Sequence, residues 1–336
     1  MIIEDDYNEI HYIRLMAASI PPSGILYNMR VLITGASGML GSAIKKELMK
    51  CPADFYLKSP SSSELNLLNI DSICNYLDKE EFDLIIHCAA VVGGIEANIE
   101  YPFEYLNTNV QIDSNIMRIA YKKRIQGFMY MASSCMYPAE THQPMSENQL
   151  LTGPLEKTNE GYALAKLVGT KTIELVSTEL DWRAFIISNM YGPGDKYDSK
   201  HSHLVAAVIE KVYAAKVNGI KNLEMWGSGF VRREFTYVSD IAKFLASVTG
   251  VLGELPPVMN LGSGIDYSVH DYYKLICNEF SFTGEIVSNP GKPEGMLQKL
   301  MDVSLAKHHG WKSETDIRTG IHKSIEDFLS NLMVPS

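Results

Sequence analysis

The chain has 336 residues, 46% hydrophobic and 21% charged, with a formal net charge of −10; that mixture suits a globular protein with room for about two domains. The acidic balance argues against a nucleic acid or an anionic membrane as the main partner, since both call for broad basic surfaces. No apolar run approaches the ~18 residues that a membrane-spanning helix needs. Cys51, Cys74, Cys88, Cys135 and Cys277 are odd in number and never form a CxxC pair. They point to a reducing, cytoplasmic setting, with no disulfide frame and no thiolate metal site.

Residues 1–28 are acidic at the start and carry a linker-like "AASIPPSG". They lack the basic start and apolar core of a secretory signal, and the spacing that follows makes them an N-terminal extension. "MRVLITGASGMLGSAIKKELMK" (29–50) then reads as a strand, a glycine turn and an amphipathic helix. Gly35, Gly38 and Gly41, with Ser37, Met39 and Leu40 between them, have the GxxGxxG spacing that brings backbone N–H groups and a helix N-terminus to a dinucleotide pyrophosphate. The alternative is a tight turn that only packs helix on strand. A second strand, 55–59, leads into "YLKSPSSSEL" with no acid before Glu64. An acid there would hold the ribose hydroxyl of NAD; Lys58 with neighbouring hydroxyls suits a 2′-phosphate, so NADP is expected.

Next come a buried strand (82–94), a helix (109–123), a strand (127–134), the helix holding "YALAK" (162–166) and a strand (182–192). This alternation predicts a Rossmann-type, doubly wound parallel sheet over residues 29–190 that binds NADP. After residue 192 the rhythm breaks. Residues 191–336 read mainly as a smaller mixed α/β domain with a helix at 202–216, parts of 234–264 returning to the first domain.

Tyr162 and Lys166 lie one helical turn apart on one face. An ammonium beside a phenol is expected to draw its pKa down from about 10 towards working pH, giving a proton donor for a carbonyl oxygen. Ser133, in "MASSCMYP" at the carboxyl edge of the sheet, is placed to donate a second bond to that oxygen.

Taken together, the glycine turn, Ser133 and the Tyr162–Lys166 pair resemble the extended short-chain dehydrogenase/reductase superfamily. The stretches "AAVVGGIEAN", "SSCMYP", "LEKTNEGYALAK", "NMYGPGD", "MWGSGFVRREF" and "GKPEG" resemble, more narrowly, the GDP-L-fucose synthase family. The resemblance implies 3,5-epimerisation of a GDP-4-keto-6-deoxymannose-type sugar, then reduction of its C4 ketone by NADPH. It implies that Lys166 holds the nicotinamide ribose, and that Ala89, Ala90, Asn109, Ser188, Asn189, Met190 and His203 complete the cofactor site. Cys135 and His203 become the acid/base pair of epimerisation, whose ordinary pKa values suit proton exchange near neutrality. Lys211, Trp226, Arg233 and Glu294, with Ser133, Cys135 and Asn189, become the GDP-sugar site. A homodimer through the helices at 109–123 and around YALAK is implied, and no metal is. Cys135-Met136 stand where related dehydratases carry an Asp-Glu pair, which argues against dehydration. Lys211 and Glu294 replace an arginine and an aspartate of well-known members, and Ser37, Val91 and Gln298 replace basic residues. Open alternatives are a colitose- or 6-deoxyheptose-type sugar and, from another class, a non-catalytic dinucleotide sensor.

Overall fold

Three consecutive aliphatic residues at the start of the folded chain, Val31, Leu32 and Ile33, are fully buried. A strand apolar on both sides belongs inside a parallel sheet covered on both faces. The computed structural model describes residues 28–51, 55–197, 202–292 and 294–333; the expected extension, apart from Asn28, lies outside them. In chain order the first half holds β1 (Met29–Thr34), α1 (Met39–Leu48), β2 (Phe55–Lys58), α2 (Ile70–Lys79) and β3 (Leu84–His87). It continues through α3 (Ile95–Glu100), α4 (Pro102–Lys122), β4 (Gly127–Ser133), α5 (Glu160–Val176) and β5 (Asp181–Ile187).

The strands form a six-stranded parallel sheet in the order β2-β1-β3-β4-β5, closed at its far edge by β9 (Val258–Leu261) from the second half. Strand order reverses between β1 and β3, so the crevice at their carboxyl ends is where ligands bind in such folds. Right-handed crossovers put α1 on one face and α2, α4 and α5 on the other; α4 packs on both α2 and α5.

The second half holds β6 (Asn189–Tyr191), α6 (Leu204–Val217), β7 (Asn222–Trp226), β8 (Arg232–Tyr237), α7 (Val238–Ser247) and β9 (Val258–Leu261). After these come β10 (Asp266–Ser268), α8 (Val269–Glu279), β11 (Glu285–Asn289), β12 (Gln298–Lys299), α9 (Ser304–His308) and α10 (Ile317–Leu332). β8 is flanked by β10 and β12 and also pairs with β6, while β11 pairs with β7. A second core gathers Val208, Val212, Phe235, Tyr272, Ile276 and Phe328. α7 packs on α1, and β9 pairs with β5. Met301, Val303, Ala306 and Trp311 also join the first core, so the chain crosses between the two cores more often than the sequence suggests.

Three elements differ from expectation for local reasons. α4 starts at Pro102 rather than near 109, because a proline at the first helical position loses no needed hydrogen bond. The third strand stops at His87; residues 88–94 leave the sheet as a loop, braced where Asn109 accepts from Val91 N–H (2.8 Å) and donates to Val91 O (3.0 Å). The expected strand 182–192 divides at Ser188, whose Oγ lies 2.6 Å from Thr236 Oγ1, and its second part enters the other sheet as β6.

Candidate active site

The glycine turn links β1 to α1 at the switch point. Gly35 has φ +68°, and a Cβ there would stand 2.6 Å from Ala89 N, so this position requires glycine. At Gly41 a Cβ would meet Gly35 O at 2.4 Å and Ala36 Cα at 2.9 Å. Gly38 is different: a Cβ there has only Gly35 O nearby, at 3.4 Å, so packing does not demand the bare backbone. Gly38 also caps α1 without a side-chain bond, and the first turn of α1 carries no acid. An uncapped helix start with an open glycine fits a dinucleotide pyrophosphate. Ser37, Met39 and Leu40 lie in this turn, with Ser37 exposed, and Ala89 and Ala90 open the half-buried loop beside it. Gly41→Ala is expected to weaken dinucleotide binding about tenfold or more and to cost about 1–3 kcal/mol of stability, read by fluorescence titration and thermal melting; wild-type affinity would contradict the packing argument.

Lys58 ends β2 as expected, but its ammonium bonds Glu80 Oε1 at 2.9 Å and lies over the Tyr56 ring. Lys45, on α1, donates to Ser59 Oγ at 2.7 Å and is a second cation at this edge that the sequence reading passed over. Asn109 is fully buried, with its amide nitrogen donating to Tyr105 O and Val91 O. Its side chain therefore braces the 88–94 loop that borders the glycine turn.

Ser133 ends β4, and its Oγ accepts from Cys135 N–H in the following turn. Cys135 is buried, which pushes its thiol up, against the opposing effects of Lys299, Ser133 and Lys166. Tyr162 and Lys166 lie on α5 as predicted. The expected lowering of the phenol, however, is not found. Burial, then Cys135, Asp113 and Tyr105, hold Tyr162 well above its ordinary value. Burial dominates, and the lysine does not offset it: Lys166 Nζ is 3.3 Å from Asp113 Oδ2 and 4.6 Å from the Tyr130 ring centroid, but 6.0 Å from that of Tyr162.

His203 caps α6 half-buried, with no side-chain bond to the helix. Burial pushes its imidazole below the ordinary value. No hydrogen bond or ion pair ties it to the Ser133–Cys135–Tyr162–Lys166 group among the described residues. Ser188 and Asn189 sit where the chain crosses between sheets, Asn189 donating to Glu234 O at 3.1 Å, and Met190 follows in β6.

The remaining expected residues meet in the second half. Arg233 donates to Glu294 O and Met296 O, both at 2.6 Å. The Glu294 carboxylate accepts from the Ser228 hydroxyl at 2.6 Å and from its N–H, which holds it below the ordinary range. Gly227, with φ +75°, makes room: a Cβ there would lie 2.4 Å from Glu294. Trp226 is faced by Lys292, 4.4 Å from its ring centroid, and Lys211 donates to Glu224 O.

Lys299, which the sequence reading did not single out, lies between the two groups. It pairs in register with Arg233 across β12 and β8. Burial pushes its ammonium down; Cys135 and Glu156 act to hold it up, and Arg233 to lower it. The only available signal was a lysine after "MLQ", in a strand two residues long.

Comparison with known proteins follows this geometry. The NAD dependent epimerase/dehydratase family matches residues 31–262. A GDP-L-colitose synthase of Yersinia pseudotuberculosis is 38% identical over 90% of this chain and 98% of its own length. A GDP-L-fucose synthase of Azorhizobium caulinodans is 36% identical over 90% of this chain and 96% of its own. Among solved structures, a GDP-6-OMe-4-keto-L-xylo-heptose reductase from C. jejuni superposes with a TM-score of 0.85 at 23% identity, covering 92% of this chain and all of that one, and so shares the fold. The glycine turn at the switch point of a parallel sheet and similarity that runs nearly end to end agree, and the chain belongs to the NAD dependent epimerase/dehydratase family, in the group that includes the GDP-L-fucose and GDP-L-colitose synthases.

Proposed function

We propose that the protein is an NADPH-dependent epimerase/reductase that converts a GDP-4-keto-6-deoxy-D-mannose-type sugar to GDP-L-fucose. The reading is supported by a buried thiol, Cys135, that interacts electrostatically with both Tyr162 and Lys299. A reductase alone needs the phenol but has no use for a titratable sulfur beside it. A ketone makes the neighbouring C–H bonds acidic, and a thiolate at Cys135 takes the proton. Inversion then needs a proton returned to the opposite face, the role proposed for His203. Ser133 and Tyr162 donate to the ketone oxygen and stabilise the enolate that forms.

In the second stage Tyr162 gives its proton to the C4 oxygen. Bound reduced nicotinamide supplies the hydride. Lys58, Lys45 and Ser59 at the β2 edge support NADP through its 2′-phosphate, Glu80 giving way to that group. Lys211, Arg233 and Lys299 gather cationic groups for a diphosphate in a chain that is acidic overall, and Trp226 offers an aromatic wall. A homodimer through α4 and α5 is supported by the exposure of Phe103, Leu164, Val168 and Leu175 on those helices. None of the five cysteines is paired, in keeping with a cytoplasmic reaction.

Incubation with GDP-4-keto-6-deoxymannose and NADPH in deuterated water tests the reading. Deuterium at both C3 and C5 of a reduced product supports it. Label at C5 alone points to colitose-type chemistry, and no label removes the epimerase.

A further inference from the structure

Around the Lys166 ammonium lies a sealed polar cluster drawn from five elements, β1, β3, α4, β4 and α5. His87, Asp113, Tyr130, Lys166 and Thr34 are each at most 2% exposed. Lys166 Nζ stands 3.3 Å from Asp113 Oδ2, which also accepts from the Tyr130 hydroxyl. The other carboxylate oxygen is 2.9 Å from His87 Nε2, and His87 Nδ1 is 2.7 Å from Thr34 Oγ1. Burial pushes His87 below its ordinary value, so the ring is neutral. A neutral ring facing a carboxylate carries its proton on Nε2 and accepts from the Thr34 hydroxyl at Nδ1. Every polar group in the cluster thus has a partner, and the carboxylate has three donors.

Space has been left for this arrangement. Gly169 lies one turn beyond Lys166, and a Cβ there would be 2.3 Å from the Tyr130 hydroxyl. Any side chain at 169 would push Tyr130 off Asp113. A buried ion pair seldom adds stability over an apolar filling of the same volume, so its position next to the reacting phenol calls for a role.

We propose that Asp113 is a positioning residue for the reductase step, holding the Lys166 ammonium against Tyr130 through an ion pair that His87 and Thr34 lock in place. The inference rests on the reductase reading above. Its consequence is electrostatic. Asp113 takes up the charge of Lys166 that would otherwise favour the phenolate, and its own charge opposes the phenolate further. The groups facing Tyr162 are Asp113 and Tyr105 from α4, Tyr130 from β4, Cys135 from the turn after β4 and, 6.0 Å from its ring centroid, Lys166 from α5; those facing Asp113 are His87 from β3, Tyr130 from β4 and Lys166. Asp113 is thus the carboxylate in this set. It keeps Tyr162 a proton donor at high pH, as ketone reduction demands.

The test is Asp113→Asn, alone and in a Lys166→Met background. Three readouts are taken: the pH dependence of kcat/KM for reduction, NADPH affinity by fluorescence, and deuterium exchange into the sugar without NADPH. Loss of the carboxylate lowers the phenol's pKa, so the basic limb of reduction is expected to move down by about one pH unit. NADPH binding is expected to weaken several-fold as the lysine is released, with exchange still measurable. In the Lys166→Met background, adding Asp113→Asn is expected to change reduction by less than about twofold, because the partner it acts through is gone. A basic limb and NADPH affinity equal to wild type in Asp113→Asn overturn the proposal. If that variant does not fold, the Lys166→Met pair decides: a further tenfold loss of reduction with exchange intact overturns the proposal, and no further loss upholds it. Wild-type protein that reduces no ketone removes the reductase reading itself, an outcome distinct from either.

Discussion

Replacing Tyr162 by phenylalanine is expected to lower NADPH-dependent ketone reduction by about 10²–10⁴-fold, the usual contribution of a positioned general acid. The phenol is held in its protonated form by burial, by Cys135, by Asp113 and by Tyr105. A group that must donate a proton works below its pKa. With that value raised well above ordinary, wild-type reduction loses nothing to phenol ionisation between pH 7 and about pH 10. Phenylalanine keeps the ring that packs against the first core, so thermal stability stays close to wild type. Deuterium exchange at the sugar carbons is expected to fall less than reduction, because Ser133 still donates to the enolate oxygen and, on the proposed assignment, Cys135 and His203 move the carbon-bound protons. The two rates, followed by NADPH absorbance and by NMR, must therefore separate. Equal losses in both would place the phenol in binding rather than in proton transfer, and an unchanged reduction rate would remove it from the chemistry.

What the sequence made legible was whatever local backbone geometry dictates. Gly35 and Gly41 stand out because a side chain at either would strike backbone a few residues away or across one strand, so the constraint shows in their spacing. Tyr162 and Lys166 share a helix face for the same short-range reason. The alternation of apolar strands and amphipathic helices gave the parallel sheet, because a strand buried on both faces has to be apolar throughout. What stayed hidden was assembled from distant elements. Asp113 sits among polar neighbours in "NVQIDSN" and reads as an ordinary solvent-facing acid; only the fold brings His87 from β3 and Tyr130 from β4 against it. The expected lowering of the phenol failed chiefly because Tyr162 is buried, with Cys135 and this hidden carboxylate adding to the effect; the helix spacing was right, but the lysine's charge is directed elsewhere. Lys299 was missed because a strand of two residues has no period to read, and its meaning comes from Cys135 on one side and Arg233 on the other.

The electrostatic influence of Lys299 on Cys135 leads to the second large effect. Cys135→Ser is expected to lower deuterium exchange at the sugar carbons by about 10²–10⁴-fold, since a hydroxyl at this site is a far weaker base, while a ketone supplied already epimerised is still reduced. The near-isosteric change leaves the buried site filled, so loss of exchange cannot be laid to collapse of the core. The proposed base is the thiolate, and burial has pushed the thiol up. Exchange therefore rises with pH until the thiol's pKa is passed. Lys299 acts against the burial effect by favouring the thiolate, so Lys299→Met is expected to carry the rising limb to higher pH. Each unit of that displacement lowers exchange at neutral pH about tenfold. Reduction of the epimerised ketone, which draws its proton from Tyr162, keeps its own pH profile in the same variant. A Lys299→Met protein whose exchange limb stays in place, with only KM for the GDP-sugar raised, would show that the ammonium serves the diphosphate and leaves the sulfur alone. A shifted limb ties the thiol's acidity to a residue 164 positions further along the chain, brought to it by the pairing of β12 with β8.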